Sequence, residues 1–241
     1  MSRYFIEVSY KGMAYSGFQV QQNANSVQAE IEKAMQIYYR KTFALTGSSR
    51  TDAGVHALQN YFHFDADESV TDAAYQLNAI LPPDIVIKRI YPVAAEAHCR
   101  FDATSREYRY YIYHRKDPFI EDRAYYYPYT LNMELMQWAA KEIMEHHDFT
   151  SFSKRNTQVR SFLCNVLQSE WKPDDNGLQY SVKANRFLRG MVKGLVGTML
   201  QVGRGKLTLD QFRDIIVSKD CTQADFSVPS HGLFLLAVEY T

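Results

Sequence analysis

The segment from Gly47 to His56 combines residue types and spacing that are suited to chemistry at a carboxylate. Arg50 and Asp52 lie two positions apart, and Gly47 and Gly54 bracket them. Because glycine permits positive φ and close backbone approach, such a loop can present Asp52 at a cleft. Composition alone favours the simpler alternative, a hairpin in which Asp52 accepts backbone N–H bonds as an Asx turn.

Hydrolysis and metal binding are two further kinds of chemistry, and the sequence supports them less well. An Asp52–His56 pair would suit a hydrolase, but no Gly-x-Ser-x-Gly or other nucleophile motif accompanies it. His146, His147 and Asp148 are similar to metal ligands only superficially, because adjacent residues on a helix point apart. We assign these three residues to a helix end, where a histidine suits the macrodipole, and we predict no metal site.

Residues 186–197 form a basic segment rich in glycine, which is the second candidate for chemistry. Its apolar residues recur at helical spacing, so we predict a helix over 186–202. Arg186, Arg189 and Lys193 would lie on the opposite side, where the glycines leave room for a phosphate or another chain. The alternative is tight helix–sheet packing at the glycines beside a solvated cationic edge.

A strand rich in tyrosine is the third candidate. Alternation puts Tyr108 and Tyr110 on one face and Tyr111 and Tyr113 on the other. A tyrosine ring can stack on a base and form hydrogen bonds at its rim. In isolation, the pattern is more typical of a half-buried strand that uses aromatic residues favoured in β-structure, and the consensus strand of an RNA-recognition motif is absent.

The predicted order of elements positions these candidates on two similar units. In the first part of the chain we predict strands at 3–11, 42–47, 58–65 and 84–91, with helices that are capped by Ser26 and Thr71 and end near residues 40 and 80. In the second part we predict strands at 106–114, 161–171, 178–185 and 233–240, with helices at 132–146, 186–202 and 208–218.

Both parts follow the order βαββαβ, with one extra helix in the second, which is the split-βαβ plan of ferredoxin-like and RRM-like domains. We therefore predict an α+β fold with an N-terminal domain over residues 1–103 and a C-terminal domain over residues 104–241. The first would carry the Asp52 loop, and the second would carry Tyr108 and the basic segment. Antiparallel sheets would flank a central cleft, a common place for an active site.

Composition narrows the class of protein. The 241 residues include 27 basic and 27 acidic ones, yet residues 154–213 contain eleven basic and four acidic residues, so binding to a polyanion stays open. The sequence contains no membrane-spanning apolar run and no signal pattern. Cys99, Cys164 and Cys221 are too scattered for a disulfide framework or a zinc motif, which fits a reducing compartment, and we predict a cytoplasmic protein.

An ordered set of motifs runs along nearly the whole chain. The set comprises Tyr10-Lys11-Gly12, Gly17-Phe18-Gln19, Ser26-Val27-Gln28, Arg50-Thr51-Asp52-Ala53-Gly54-Val55-His56-Ala57, Leu77-Asn78, Leu81-Pro82, His98-Cys99-Arg100-Phe101, Arg106-Glu107-Tyr108-Arg109-Tyr110, Asp148-Phe149-Thr150-Ser151-Phe152 and Met191-Val192-Lys193. Together these residues resemble the bacterial tRNA pseudouridine synthase A family. The motif that contains Asp52 is the most specific, and the others are individually weaker but come in the family's order.

The resemblance implies isomerisation of uridine to pseudouridine in the tRNA anticodon stem-loop, without cofactor or metal, by a homodimer that holds one tRNA across both subunits. Asp52 falls on the family's catalytic aspartate, the expected nucleophile, and Tyr108 on the tyrosine that packs against the target base. Lys193 falls where many members carry the arginine that pairs with the aspartate, and lysine keeps this charge without the bidentate fork. Arg50 and Arg189 could hold phosphates beside an extruded base.

Some alternatives remain open at the level of sequence. A non-catalytic RNA-binding protein would use the same basic segment and tyrosines, but it should tolerate loss of the Asp52 carboxylate. For a synthase, Asp52 could attack C1′ of the ribose, attack C6 of the uracil or remove the C2′ proton. Ser48-Ser49 replaces the Ala-Gly that often precedes the family's arginine, and we expect a stiffer loop with the same chemistry.

Overall fold

The computed structural model of the chain describes residues 1–67, 69–155 and 159–240. Contacts between residues divide the chain into two units. The first contains residues 1–104 together with the closing strand from Phe234 onward, and the second contains residues 105–233. This division differs from the domains 1–103 and 104–241 in one element, because the closing strand pairs with a strand of the first unit.

The sheet of the first unit contains the strands β1 (Ser2–Tyr10), β2 (Thr46–Gly47), β3 (His56–Ala66), β4 (Ile85–Val93) and β9 (Leu233–Tyr240). The order is β4-β1-β3-β9, with β2 paired to β3. Strand β1 is antiparallel to both β3 and β4. Strand β9 is parallel to β3, with Phe234 opposite His56 and Leu235 opposite Ala57. This pairing is why the end of the chain belongs to the first unit.

Helix α1 (Val27–Tyr39) begins and ends where the sequence predicts. The Ser26 hydroxyl accepts a hydrogen bond from the third following amide at 3.2 Å, and Arg40 ends the helix with φ 55°. Tyr38 continues the apolar helical spacing of Val27 and Ile31 but is exposed, since it lies in the last turn, where its ring meets Tyr39 edge-on at 4.7 Å. The buried residues of the helix are Val27, Ile31, Ala34 and Met35.

Two local signals in the first unit were misinterpreted. Thr71 is not a cap but the first residue of a 3-10 turn, Thr71–Ala73, which leads into helix α2 (Ala74–Ile80). The strand predicted over 42–47 is shortened to β2, because side chains of α1 bind the backbone of Leu45. The Gln28 amide donates to its carbonyl at 2.9 Å, and its N–H donates to Glu32 at 3.2 Å.

The second unit contains the strands β5 (Ala103–Tyr113), β6 (Tyr125–Tyr126), β7 (Val166–Asp174) and β8 (Gly177–Ala184). Strands β5, β8 and β7 are antiparallel neighbours in that order, and β6 is parallel to β5. Strand β7 begins later than the predicted residue 161, because the residues before it pair elsewhere. Leu163 forms a bridge with Asp148, and the Cys164 amide donates to the His147 carbonyl.

The second unit also contains the helices α3 (Met133–Ile143), α4 (Met191–Gly203) and α5 (Leu209–Ser218). Asn132 caps α3 as predicted, and Thr208 with Gln211 forms a capping box at the start of α5. His146, His147 and Asp148 lie beyond the end of α3. There Asp148 pairs with Lys219 at 2.8 Å and accepts from the Thr150 hydroxyl at 2.6 Å.

Helix α4 begins at Met191, five residues later than the predicted residue 186. Gly190 stands at its start with φ 75°, a left-handed conformation that cannot continue a helix upstream. Arg189 lies in the turn before it, and its carbonyl accepts from the Lys154 amide at 3.0 Å. Arg186 and Arg189 therefore lie outside the helix, and the expected helical row of three cations does not form.

The mixture of helices with mostly antiparallel strands confirms the α+β class. The helices found in residues 1–67, 69–155 and 159–240 have at most 13 residues, well short of the roughly 20 apolar residues that cross a bilayer. The tandem domain plan and the central cleft remain predictions.

Candidate active site

The loop that carries Asp52 lies between β2 and β3 and is bound to the chain near Gly17. Asp52 forms an isolated antiparallel bridge with Gly17, and the Phe18 amide donates to the Thr51 carbonyl at 3.1 Å. The Val55 amide donates to the main-chain carbonyl of Asp52 at 3.2 Å, which closes the turn that follows. The side chain of Asp52 is half-buried. Hydrogen bonds therefore fix the backbone on both sides of the carboxylate.

Two glycines are required by the geometry of this loop. Gly54 has φ 79°, which residues with a Cβ rarely adopt. Gly12 lies so close to the loop that a Cβ there would overlap the Val55 carbonyl. The bracketing glycine that the sequence singled out, Gly47, has a different role, because a Cβ there would overlap the ring of Phe18.

His56 has a structural position in the first unit. Its side chain is buried, its Nδ1 accepts from the Gly12 amide at 3.3 Å, and its ring stacks on Phe234 at 4.5 Å. An accepting Nδ1 places the ring proton of a neutral imidazole on Nε2. The hypothesis of an Asp52–His56 hydrolase loses support, because His56 joins the segment near Gly12 to β9.

Tyr108 is the half-buried tyrosine of the core face of β5. Its ring meets Phe187 edge-to-face, with centroids 5.0 Å apart and an angle of 80°. Tyr110 is fully buried, and its hydroxyl donates to the Pro229 carbonyl at 2.7 Å. Tyr110 is therefore a core residue of the strand, whereas part of the Tyr108 side chain is accessible to solvent. Sequence reasoning missed Phe187, because we considered only the glycines, charges and apolar stripe of that segment.

Lys193 is the third residue of α4 and is half-buried. Its Nζ donates to the Ser230 hydroxyl at 3.3 Å. Burial is the main reason that the pKa of the neighbouring His231 is lowered, and the positive charge of Lys193 acts in the same direction. The sequence analysis did not predict this contact, because Ser230 lies 37 positions along the chain from Lys193 and belongs to none of the motifs.

The glycines of α4 are used for packing. A Cβ at Gly194 would lie 2.8 Å from the Phe226 ring, and one at Gly197 would overlap the Asp225 carbonyl. This corrects the expectation of an open helix surface, because residues 225–226 cover the helix there. The packing alternative was right, although the partner is a loop segment where we had expected a sheet.

The two arginines proposed as phosphate contacts are both exposed. Arg50 lies in the Asp52 loop, two residues before the carboxylate, and Arg189 lies in the turn before α4. The side chain of Lys154 passes beside this turn, where a Cβ at Gly190 would lie 2.9 Å from its Cγ. Exposed guanidinium groups suit contacts to phosphate, which need charge and reach more than fixed geometry.

Comparison with known proteins identifies the family to which this arrangement belongs. The family model described as tRNA pseudouridine synthase matches residues 6–102 and 139–241. The chain belongs to the tRNA pseudouridine synthases. It is an isomerase, and the resemblance seen in the sequence is confirmed.

Curated relatives match this synthase over nearly its whole length. The protein named tRNA pseudouridine synthase A in Parabacteroides distasonis is 45% identical over 243 residues, which covers 100% of this chain and 96% of the relative. The protein of that name in Bacteroides thetaiotaomicron is 43% identical, covering 100% of this chain and 91% of the relative. A Staphylococcus aureus protein of the same name is 36% identical, covering 97% and 89%.

The structure of this synthase also brings together three potential metal ligands that the sequence analysis did not connect. One ligand atom from each of His63, His98 and Cys99 lies within 4.8 Å of the others. Each residue already has a protein partner. The Cys99 thiol donates to the Thr46 carbonyl at 3.1 Å, His63 Nδ1 accepts from the Cys99 amide at 3.4 Å, and His98 Nδ1 accepts from the Arg100 amide at 3.2 Å. Internal hydrogen bonding accounts for this cluster.

Two open cavities of the second unit are lined by other residues of the synthase. One, of about 370 Å³, lies beside Gln201 and Asp225, and the other, of about 330 Å³, lies beside His114 and Tyr129. Neither is lined by a residue to which the resemblance assigns a role in catalysis. These cavities therefore do not locate a catalytic site, and the assignment of Asp52, Tyr108 and Lys193 rests on the motifs that contain them.

Proposed function

We propose that this chain converts uridine to pseudouridine in the anticodon stem-loop of tRNA, with Asp52 as the nucleophile. The observation that carries the proposal is a half-buried carboxylate in the Arg-Thr-Asp-x-Gly-Val-His motif, on a loop whose backbone is fixed on both sides of it. Covalent chemistry at one atom of a nucleotide needs a nucleophile placed in this way.

The reaction is an isomerisation and needs no net oxidant or reductant. The bond between ribose C1′ and uracil N1 breaks, the uracil rotates while bound, and a new bond forms between C1′ and C5. N1 gains a proton and C5 loses one, so atoms and electrons balance. Attack by Asp52 at C1′ or at C6 of the uracil would satisfy this scheme, as would removal of the C2′ proton.

Tyr108 supplies a surface against which the target base can turn. An aromatic wall tolerates rotation of the base better than a full set of directional hydrogen bonds would. The edge-to-face contact with Phe187 holds the Tyr108 ring in one orientation. The phenol hydroxyl is a candidate for moving the proton from C5.

Lys193 provides the positive charge that family members pair with the catalytic carboxylate. A cation keeps such a carboxylate ionised and supports charge that develops during bond cleavage. Its hydrogen bond to Ser230 restricts the otherwise flexible lysine chain. Because an ammonium makes point contacts, the pairing with Asp52 would be monodentate in this protein.

Binding of the tRNA involves the exposed cations Arg50 and Arg189. A uridine in a stem must leave the base stack before Asp52 can reach it, and arginines on neighbouring phosphates would hold the strand while it does so. We further propose a homodimer that holds one tRNA across both subunits and acts in the cytoplasm. Sedimentation of a dimer-sized species would support the first part, and a monomer would contradict it.

Release of tritium from tRNA labelled at uridine C5 tests the reaction, because only isomerisation at that carbon frees the label. We expect the wild type to release tritium and Asp52→Asn to lose at least about 1,000-fold in rate, as removal of a nucleophile does. A tRNA in which the uridines of the anticodon stem-loop are replaced should release none, although its remaining uridines carry label.

The control for this experiment is tRNA binding by the same two proteins. Asparagine has nearly the same shape as aspartate, so Asp52→Asn should bind tRNA within a few-fold of the wild type. Full release by Asp52→Asn would contradict the role of Asp52. Binding without release by either protein would favour a non-catalytic RNA-binding protein.

A further inference from the structure

A buried side chain of β3 holds the start of the Asp52 loop. Asn60 is completely buried, its Oδ1 accepts from the Ser49 amide at 3.2 Å, and its Nδ2 donates to the Ser49 carbonyl at 2.8 Å. One side chain thus binds both backbone polar groups of a single residue, as a neighbouring strand would. The chain is thereby fixed three residues before the carboxylate.

Tyr10 of β1 extends this network to the residue next to Asp52. Its hydroxyl accepts from Asn60 Nδ2 at 3.2 Å and lies 2.7 Å from Thr51 Oγ1. Asn60 is the donor in its bond to the Tyr10 hydroxyl, so the single phenol proton can serve the bond to Thr51, in which either hydroxyl can donate. Tyr10 and Thr51 are both buried, so water does not compete with these bonds.

Thr51 is consequently held at two points. Its hydroxyl is bonded to Tyr10, and its carbonyl accepts from the Phe18 amide. The carbonyl belongs to the peptide group that leads directly into Asp52, so a rotation of Thr51 would move the carboxylate. An error of about 1 Å in the placement of a reacting group can cost roughly 100-fold in rate.

We propose that Tyr10 and Asn60 are positioning residues for Asp52, acting through the Thr51 hydroxyl and the Ser49 backbone. This inference rests on the function proposed for the chain, with Asp52 as nucleophile. Both side chains are buried, so we assign them an action on the loop and not on the substrate. Their effect is on the fraction of molecules in which the carboxylate has the reactive geometry, so it falls on kcat and leaves the KM for tRNA largely unaffected.

Removal of the Tyr10 hydroxyl tests the hydrogen bonds that join Tyr10, Asn60 and Thr51. We expect Tyr10→Phe to lower kcat by about 10- to 100-fold, with the KM for tRNA within about twofold of the wild type. Thr51→Val removes the same bond from its other end and should match this loss, and Thr51→Ser, which restores the hydroxyl, should recover most of the rate. The double variant should lose little more than either single one, because both remove one interaction.

Two control variants separate positioning from a general loss of stability. Tyr180 is fully buried, and its hydroxyl lies 2.8 Å from Ser169 Oγ, so Tyr180→Phe removes a comparable bond in the second unit. We expect a similar loss of thermal stability with kcat within about twofold of the wild type. Ser49 Oγ is buried and has no hydrogen-bond partner among the described residues, so Ser49→Ala should also retain kcat.

The outcomes are distinguishable. An unchanged kcat in Tyr10→Phe and Thr51→Val would overturn the positioning role, and so would an equal loss of kcat in Tyr180→Phe. Should Tyr10→Phe fail to fold, the comparison between Thr51→Val and Thr51→Ser decides the question at a neighbouring atom. If the wild type itself releases no tritium, the proposed function fails, and that result does not depend on the network.

Discussion

The Asp52 loop carries the proposed nucleophile and the segment before α4 carries a proposed phosphate contact, but the chain holds these two segments differently. In the Asp52 loop, Thr51 is bound through both its hydroxyl and its carbonyl, and Asp52 is bridged to Gly17. In the second segment, Arg189 lies in a turn that depends on the positive φ of Gly190. The backbone around the proposed nucleophile is held by several hydrogen bonds, whereas the proposed phosphate contact, Arg189, stands exposed at a turn.

This difference follows from what each group must do. A nucleophile reacts only within a narrow range of distance and angle, so its backbone must be fixed before substrate arrives. A guanidinium that contacts a phosphate gains most of its binding energy from charge, and a flexible chain can find the phosphate. Lys193 lies between these two cases, because it is a cation whose Nζ is bonded to Ser230.

Lys193 provides the largest expected effect among tests of this comparison. We expect Lys193→Met to lower kcat for tritium release by about 100-fold, because it removes a positioned charge that acts on the reacting groups. Lys193→Arg should remain within about tenfold of the wild type, since it retains the charge.

The contrasting variant for this test is Arg189→Gln, which should act mainly on the KM for tRNA and make binding less sensitive to salt. If Arg189→Gln lowered kcat as much as Lys193→Met, the distinction between a half-buried catalytic cation and an exposed binding cation would fail. Steady-state kinetics at two salt concentrations would show this.

Much of the fold could be predicted because its signals are local. Ser26, Asn132 and Thr208 each cap a helix as their residue type predicts, and the closing strand has its predicted limits at Leu233 and Tyr240. The family was accessible for a similar reason, since the motif around Asp52 is contiguous in the sequence. Such features need only the residues within one turn or one strand.

The rest depended on contacts between distant residues. The bonds from Tyr10 to Thr51 and to Asn60 span 41 and 50 positions, and no periodicity reveals them. The pairing of β9 with β3 assigns the end of the chain to the first unit, which the order of elements could not indicate. The apolar spacing of residues 186–202 favoured one continuous helix. The left-handed conformation of Gly190 prevents that helix from beginning before Met191.

Acidic pH should weaken the region of β3 next to the Asp52 loop. Burial lowers the pKa of His63 to about 4 from the 6.5 that is usual for histidine, and the positive charges of His98 and Arg3 act in the same direction. The unfolded chain therefore takes up this proton more readily than the folded one. The contribution of His63 to stability is complete above about pH 6.5 and is lost as pH falls toward 4, which amounts to about 2–3 kcal/mol near pH 4.5.

His63→Gln tests this contribution by removing the titrating group. We expect its free energy of unfolding in urea to fall less than that of the wild type between about pH 7 and about pH 4.5, by about 2–3 kcal/mol. His146→Gln is the control, because His146 lies outside the sheet beside Glu142, and it should follow the wild type closely. Equal declines in all three proteins would show that His63 does not weaken this region in acid.

The smallest expected effect concerns the turn on which Arg189 depends. Gly190→Ala places a Cβ on a residue with φ 75° and 2.9 Å from Lys154 Cγ, and we expect it to lower the free energy of unfolding by about 1–2 kcal/mol. Gly205→Ala is a matched control, because Gly205 has φ 69° with open space around its Cβ position. Gly190→Ala should also raise the KM for tRNA severalfold, because a change in this turn would displace Arg189. Gly205→Ala should leave the KM unchanged. If both variants raised KM equally, the conformation at Gly190 would not be what places Arg189.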